Sequence, residues 1–166
     1  MKELFIDIET FAKVDLTKVG VYRYASDPSF EILLFGYSVD GGDVQVVDLA
    51  SGEVIPDDII EAMKDKTKQL SYFYPRGLFH TKGYPGCKDN EFIDPTNKWY
   101  CDMIWSAYLG LPLSLEKVGY VLDIEQKKLD TGKNLLCYFC KPCEPTKSNA
   151  SRTRNMPQDN PEKWSL

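Results

Sequence analysis

The chain has 166 residues, 43% of them hydrophobic and 27% charged, with a formal net charge of −5. This length and mixture suit one buried core, exclude a disordered chain, and argue against broad electrostatic adhesion to nucleic acid. No stretch offers the roughly 20 apolar residues of a membrane helix, and five cysteines without a secretory signal point to a reducing, cytoplasmic setting rather than a disulfide framework.

Leu4 to Ile8 reads as a short strand, with Leu4, Ile6 and Ile8 alternating with Phe5, Asp7 and Glu9. Glu31 to Val39 is a second strand. Asp40-Gly41-Gly42-Asp43 then signals a hairpin into a third strand over Val44 to Leu49. Pro56 to Lys64 reads as a helix with Ile59, Ile60 and Met63 on one face. Leu70 to Tyr74 suits a fourth strand, and 75–97 is rich in Gly, Pro and aromatic residues without a period. Trp99 to Met103 reads as a strand leading into a helix over Ile104 to Leu109. Ser114 suits an N-cap for a helix through Leu122, with Leu115, Val118 and Leu122 inward. Thr131 suits the cap of another from Lys133 to Phe139. Beyond Pro142 lies a polar tail over 144–166, for which a solvated, flexible segment is one reading.

Asp7-Ile8-Glu9-Thr10 is the sharpest feature. Side chains two apart on a strand point the same way, so Asp7 and Glu9 project together while Ile6 and Ile8 enter the core. Adjacent carboxylates repel unless a cation lies between them. Mg²⁺ and Mn²⁺ take hard oxygen ligands of this kind, and two such ions can clamp both oxygens of a phosphodiester in hydrolysis. An apolar strand leads into the pair and two further strands follow, which is the opening order of the ribonuclease H-like fold.

The resemblance extends beyond this motif. LFIDIET (Leu4 to Thr10), the segments around Val14 to Leu16 and Val19 to Tyr24, and FEILLFGYSVDGGD (Phe30 to Asp43) resemble the exonuclease region of phage-type, family A-like DNA polymerases. So do WYCDMIWSAYLGLPLSLEKVG (Trp99 to Gly119), Lys141-Pro142-Cys143, Arg152 to Asn155 and Pro161 to Trp164. The resemblance implies a single domain over 1–166 of mixed α/β (α+β) ribonuclease H-like architecture, its sheet opened by three antiparallel-connected strands. It implies a DEDD-type 3′–5′ exonuclease in which four acidic residues bind two divalent ions and water attacks the last phosphodiester of a single-stranded DNA 3′ end. Asp7 and Glu9 match the first acidic motif, as catalytic metal ligands for Mg²⁺ or Mn²⁺. Thr10 matches a backbone donor to the terminal nucleotide, and Phe11 a stacking or wedging ring, with core filling as its alternative. Lys147, Arg152 and Arg154 are candidate nucleic-acid contacts, and a polymerase domain is an expected neighbour.

The second acidic motif is expected after the fourth strand, yet Lys66 to Lys88 holds no Asp or Glu. The divergent segment 66–98 resembles the family nowhere; an insertion or a compensated frameshift would each break the match in this way. Asp102, at a helix start, reads as a capping charge. The third motif is expected just past Trp164 on a final helix, beyond Leu166. The reading is therefore of an impaired exonuclease or, alternatively, a non-catalytic nucleic-acid-binding remnant. Apolar surface left open by the absent helix would favour self-association. Cys137, Cys140 and Cys143 have zinc-like spacing, but Cys137 and Cys140 fall on the inner face of a helix, where cysteine is an ordinary small hydrophobe. His80 reads as a loop residue.

Overall fold

The computed structural model describes residues 1–65, 69–72, 99–124 and 130–165. The second-motif region at 73–98, with His80, Cys87, Asp89, Glu91 and Asp94, lies outside them. Among the described residues, five strands form one mixed sheet: β1 (Glu3–Phe11), β2 (Glu31–Val39), β3 (Gln45–Asp48), β4 (Gln69–Tyr72) and β5 (Trp99–Cys101). Their spatial order is β3-β2-β1-β4-β5. β1 and β3 run antiparallel to β2, while β4 runs parallel to both β1 and β5. This is the expected mixed architecture, opened by three antiparallel strands.

Directly paired residues share a face. Leu4/Val39, Ile6/Tyr37 and Ile8/Phe35 therefore lie on one side, and Phe5/Ser38, Asp7/Gly36 and Glu9/Leu34 on the other. α2 (Asp57–Lys64) covers the first side, burying Ile59, Ala62 and Met63 against Leu4, Ile6 and Phe35. α1 (Leu16–Ala25) closes the far end of that face, where Tyr24 and Ala25 pack with Ala12 and Phe30. On the second side, α5 (Asp130–Phe139) and the short α6 (Pro161–Trp164) meet β1 and β2 around Phe11, Leu33 and Phe139. The β1–β2 register slips between Glu9 and Thr10. Leu33 is the extra residue on β2, and its side chain is buried beside Phe11. The bulge lets both hydrophobes fill the second side without moving Asp7 or Glu9 from it.

α1 was not foreseen from the sequence. Asp15 caps it, accepting from the Thr17 backbone N–H at 2.9 Å, but Gly20 interrupts the helix at φ 76, ψ 165. That conformation is nearly closed to residues with a Cβ, although no neighbour lies within 4 Å of the position. Gly20→Ala is expected to cost about 1–3 kcal/mol in urea unfolding through backbone strain alone.

Asp40 closes the β2–β3 turn and also holds the start of β1. Its Oδ1 accepts from the backbone N–H groups of Glu3 at 2.8 Å and Lys2 at 2.6 Å. These bonds, Glu3 first, hold its carboxyl below the ordinary value of 3.8, with the N-terminal amine adding to the effect. A depressed carboxyl stabilises the fold fully above its unfolded value and loses that contribution as pH falls through the folded one. The difference in urea midpoint between wild type and Asp40→Asn should thus be full near about pH 6 and close below 3.8.

Two expectations need correction. α4 (Leu115–Val121) buries only Val118 of its expected inner face, while Leu115 and Leu122 are more than half exposed. Ile104, Trp105, Tyr108 and Leu109, on or beside α3 (Asp102–Tyr108), are exposed as well. The tail is not a loose segment. Asn155 Nδ2 donates to the Tyr138 carbonyl at 3.0 Å, and the Trp164 ring meets Phe139 edge-on at 4.8 Å. Trp164 Nε1 donates to Asp48 Oδ2. Polar residues there bond to one another and to the core, although most of 144–151 stays exposed.

Candidate active site

The acidic pair sits on the second face of β1, where α5 and α6 leave the sheet uncovered. Asp7 lies directly across from Gly36 and Glu9 across from Leu34. A Cβ at position 36 would stand 3.6 Å from the Asp7 carbonyl oxygen, and a longer side chain would extend over the face that presents the carboxylate. Glycine therefore leaves room against Asp7. A cleft of about 370 Å³ opens here, walled by Phe5, Leu34, Val44, Val46 and Leu115, with Asp7, Glu9 and Asp102 among its lining residues. Hard anionic oxygens thus border an apolar floor, a combination suited to a divalent cation beside a flat organic group.

Asp102 opens α3, as expected of a first-turn charge. Its carboxyl is nevertheless pushed up, by burial first and then by the charge of Glu3. Among the described residues, no three His, Cys, Asp or Glu side chains converge as a metal cage. The fit to Mg²⁺ or Mn²⁺ rests on the pair and on the cleft that it lines.

Thr10 follows the pair, half-buried, with its Oγ1 3.3 Å from the Tyr24 hydroxyl. Burial raises the Tyr24 phenol above its ordinary value. Phe11 is 1% exposed and packs with Leu33 and Phe139. In this position it fills the core, and stacking on a nucleobase would require it to leave that packing. Arg154 lies with its guanidinium carbon 4.1 Å above the Phe11 ring and its Nη2 2.7 Å from Glu31 Oε2. Arg152 pairs with Asp159 and donates through Nε to the Asn149 carbonyl at 2.9 Å. Both arginines are therefore engaged inside the fold, whereas Lys147 is exposed.

Among the described residues, the cysteines do not form a shared site. Burial, with the charge of Glu9, pushes the Cys140 thiol up to about 12. Cys137 is exposed, and Cys143 Sγ faces the Arg152 carbonyl at 3.4 Å. The lining residues Phe5, Leu34, Gly36, Val44 and Val46 were not singled out from sequence. The period-2 pattern signals which of them share a face, but not which residue stands opposite Asp7.

No family model matches the chain. Over 99% of its length it is 41% identical to the DNA polymerase of Bacillus phage SP02, of which it covers 25%, the N-terminal part. The fold resembles that of a nuclease in its apo form, at 20% identity and a TM-score of 0.50, over 76% of this chain and 55% of that one. It also resembles Brucella melitensis NrnC with bound Mg²⁺, at 17% identity and a TM-score of 0.50, over 78% and 57%. A further structure of that protein, bound to pGG, matches at the same TM-score. The chain is a relative of the N-terminal part of a phage DNA polymerase, and its fold resembles that of solved nucleases.

Proposed function

We propose that the chain is a 3′–5′ exonuclease domain acting on the end of single-stranded DNA, with Asp7 and Glu9 as the metal-holding pair. The observation that carries this reading is the placement of both carboxylates on one open face of β1, at an apolar cleft. Their oxygens would hold Mg²⁺ or Mn²⁺. A bound ion of this kind supplies Lewis-acid polarisation of a phosphoryl oxygen and an activated water. The polypeptide would supply the rest: Glu9 beside the attacking water, the Thr10 backbone N–H for the terminal nucleotide, and the apolar floor for a base. The relation to a phage polymerase supports a role beside a polymerase domain. That neighbour would deliver the 3′ end.

We take the activity to be reduced. Lys66 to Lys88 offers no acid for the second motif, and the described residues assemble no third ligand around the pair. A purely basic, non-catalytic contact with DNA has less support, because Arg152 and Arg154 already have carboxylate partners. Incubation with a 3′-labelled single strand and Mn²⁺ tests the reading. Shortening from the 3′ end that vanishes in Asp7→Asn supports it, and intact strands after prolonged incubation would refute it.

A further inference from the structure

We infer that Arg154 is a positioning residue for Glu9, a role that rests on the proposed metal site and goes beyond it. The observation is the convergence of three contacts on the bulged end of the β1–β2 ladder. Glu31 is the ladder partner of Phe11, the last residue of β1. Arg154 engages both members of that pair at once, with Nη2 2.7 Å from Glu31 Oε2 and the guanidinium 4.1 Å above the Phe11 ring. The register slip lies immediately beside it, between Glu9 and Thr10, and Leu33, the extra residue, packs on the same Phe11 ring. Leu33 on β2 is the unpaired residue of the bulge, and the ladder is locally disrupted between Glu9 and Thr10, so a clamp on the Phe11–Glu31 pair just beyond it bears on the direction of Glu9. Here that clamp is Arg154.

Arginine suits this task for a stated reason. A planar fork can lie flat on an aromatic ring while one nitrogen binds a carboxylate in its plane; the point charge of lysine cannot do both. Arg154 Nε is buried without a hydrogen-bond partner among the described contacts. The residue is thus held by the ring and by Glu31 rather than by a full set of polar bonds.

The sign of the effect on metal affinity separates positioning from charge. A cation near two carboxylates repels a metal ion, so removing it for electrostatic reasons alone would tighten binding. Removing a positioning group weakens it, by roughly 10-fold on the scale of residues that orient metal ligands. Mn²⁺ should therefore bind the full chain about 10-fold more weakly in Arg154→Ala and in Arg154→Lys than in wild type. Unchanged or tighter binding by folded variants would overturn the role. Amide hydrogen exchange reads the same inference without metal. Exchange at Glu9, Thr10 and Phe11 should accelerate by about 10-fold or more in Arg154→Ala, with Leu4 to Ile6 unaffected. Uniform acceleration along β1, or none, would contradict it. If wild type binds no Mn²⁺, the reading of the metal site fails, and the exchange experiment alone decides the role of Arg154.

Discussion

Phe11→Ala should lower the free energy of unfolding by about 3–5 kcal/mol, the scale for deleting a fully buried phenyl ring. For a domain with a total stability of about 5–15 kcal/mol this is a large part of the whole. Three layers lose contact at once: the ring fills the space between Leu33 and Phe139, and it is the surface on which Arg154 lies. A Leu in its place keeps most of the apolar volume and should cost less. Urea unfolding followed by circular dichroism measures the change. A loss below about 1 kcal/mol would mean that the ring is not a core element, and would return it to the role of an exposed stacking group.

The second large effect is expected at Asp7. Asp7→Asn keeps the shape of the side chain and removes its charge, leaving a poorer oxygen ligand beside Glu9. Loss of a group that merely orients a metal ligand typically costs 10- to 100-fold. Loss of a ligand itself should therefore slow Mn²⁺-dependent shortening of a 3′-labelled strand by at least about 100-fold. The fold is expected to persist, because Asp7 is exposed and its neighbours Ile6 and Ile8 carry the packing. A folded Asp7→Asn protein with wild-type rates would locate the chemistry elsewhere.

The contrast between these two side chains, four residues apart on one strand, shows what a sequence reveals and what it hides. The period of two in Leu4 to Glu9 suffices to put Asp7 and Glu9 together on one face, and β2 and α2 follow from equally regular patterns. Phe11 shares that face, but whether it is buried depends on α5 and α6, which reach it from far along the chain. Arg154 and Glu31 are 123 positions apart, so no local pattern ties the arginine to the strand end, and a basic tail reads as a solvent-facing one. α1 eluded the reading because Gly20 breaks its period, although the Asp15 cap was in plain sequence. In α4 the period is right and the expectation fails for another reason: helical spacing says that Leu115, Val118 and Leu122 share a face, not that another element covers it.

Titration of Mn²⁺ into the wild-type chain and into Asp7→Asn, followed calorimetrically under identical conditions, tests the central claim most directly. The carboxylate pair on β1 predicts saturable binding by wild type and none by Asp7→Asn over the same concentrations. Equal binding by both proteins, or none by wild type, would contradict it.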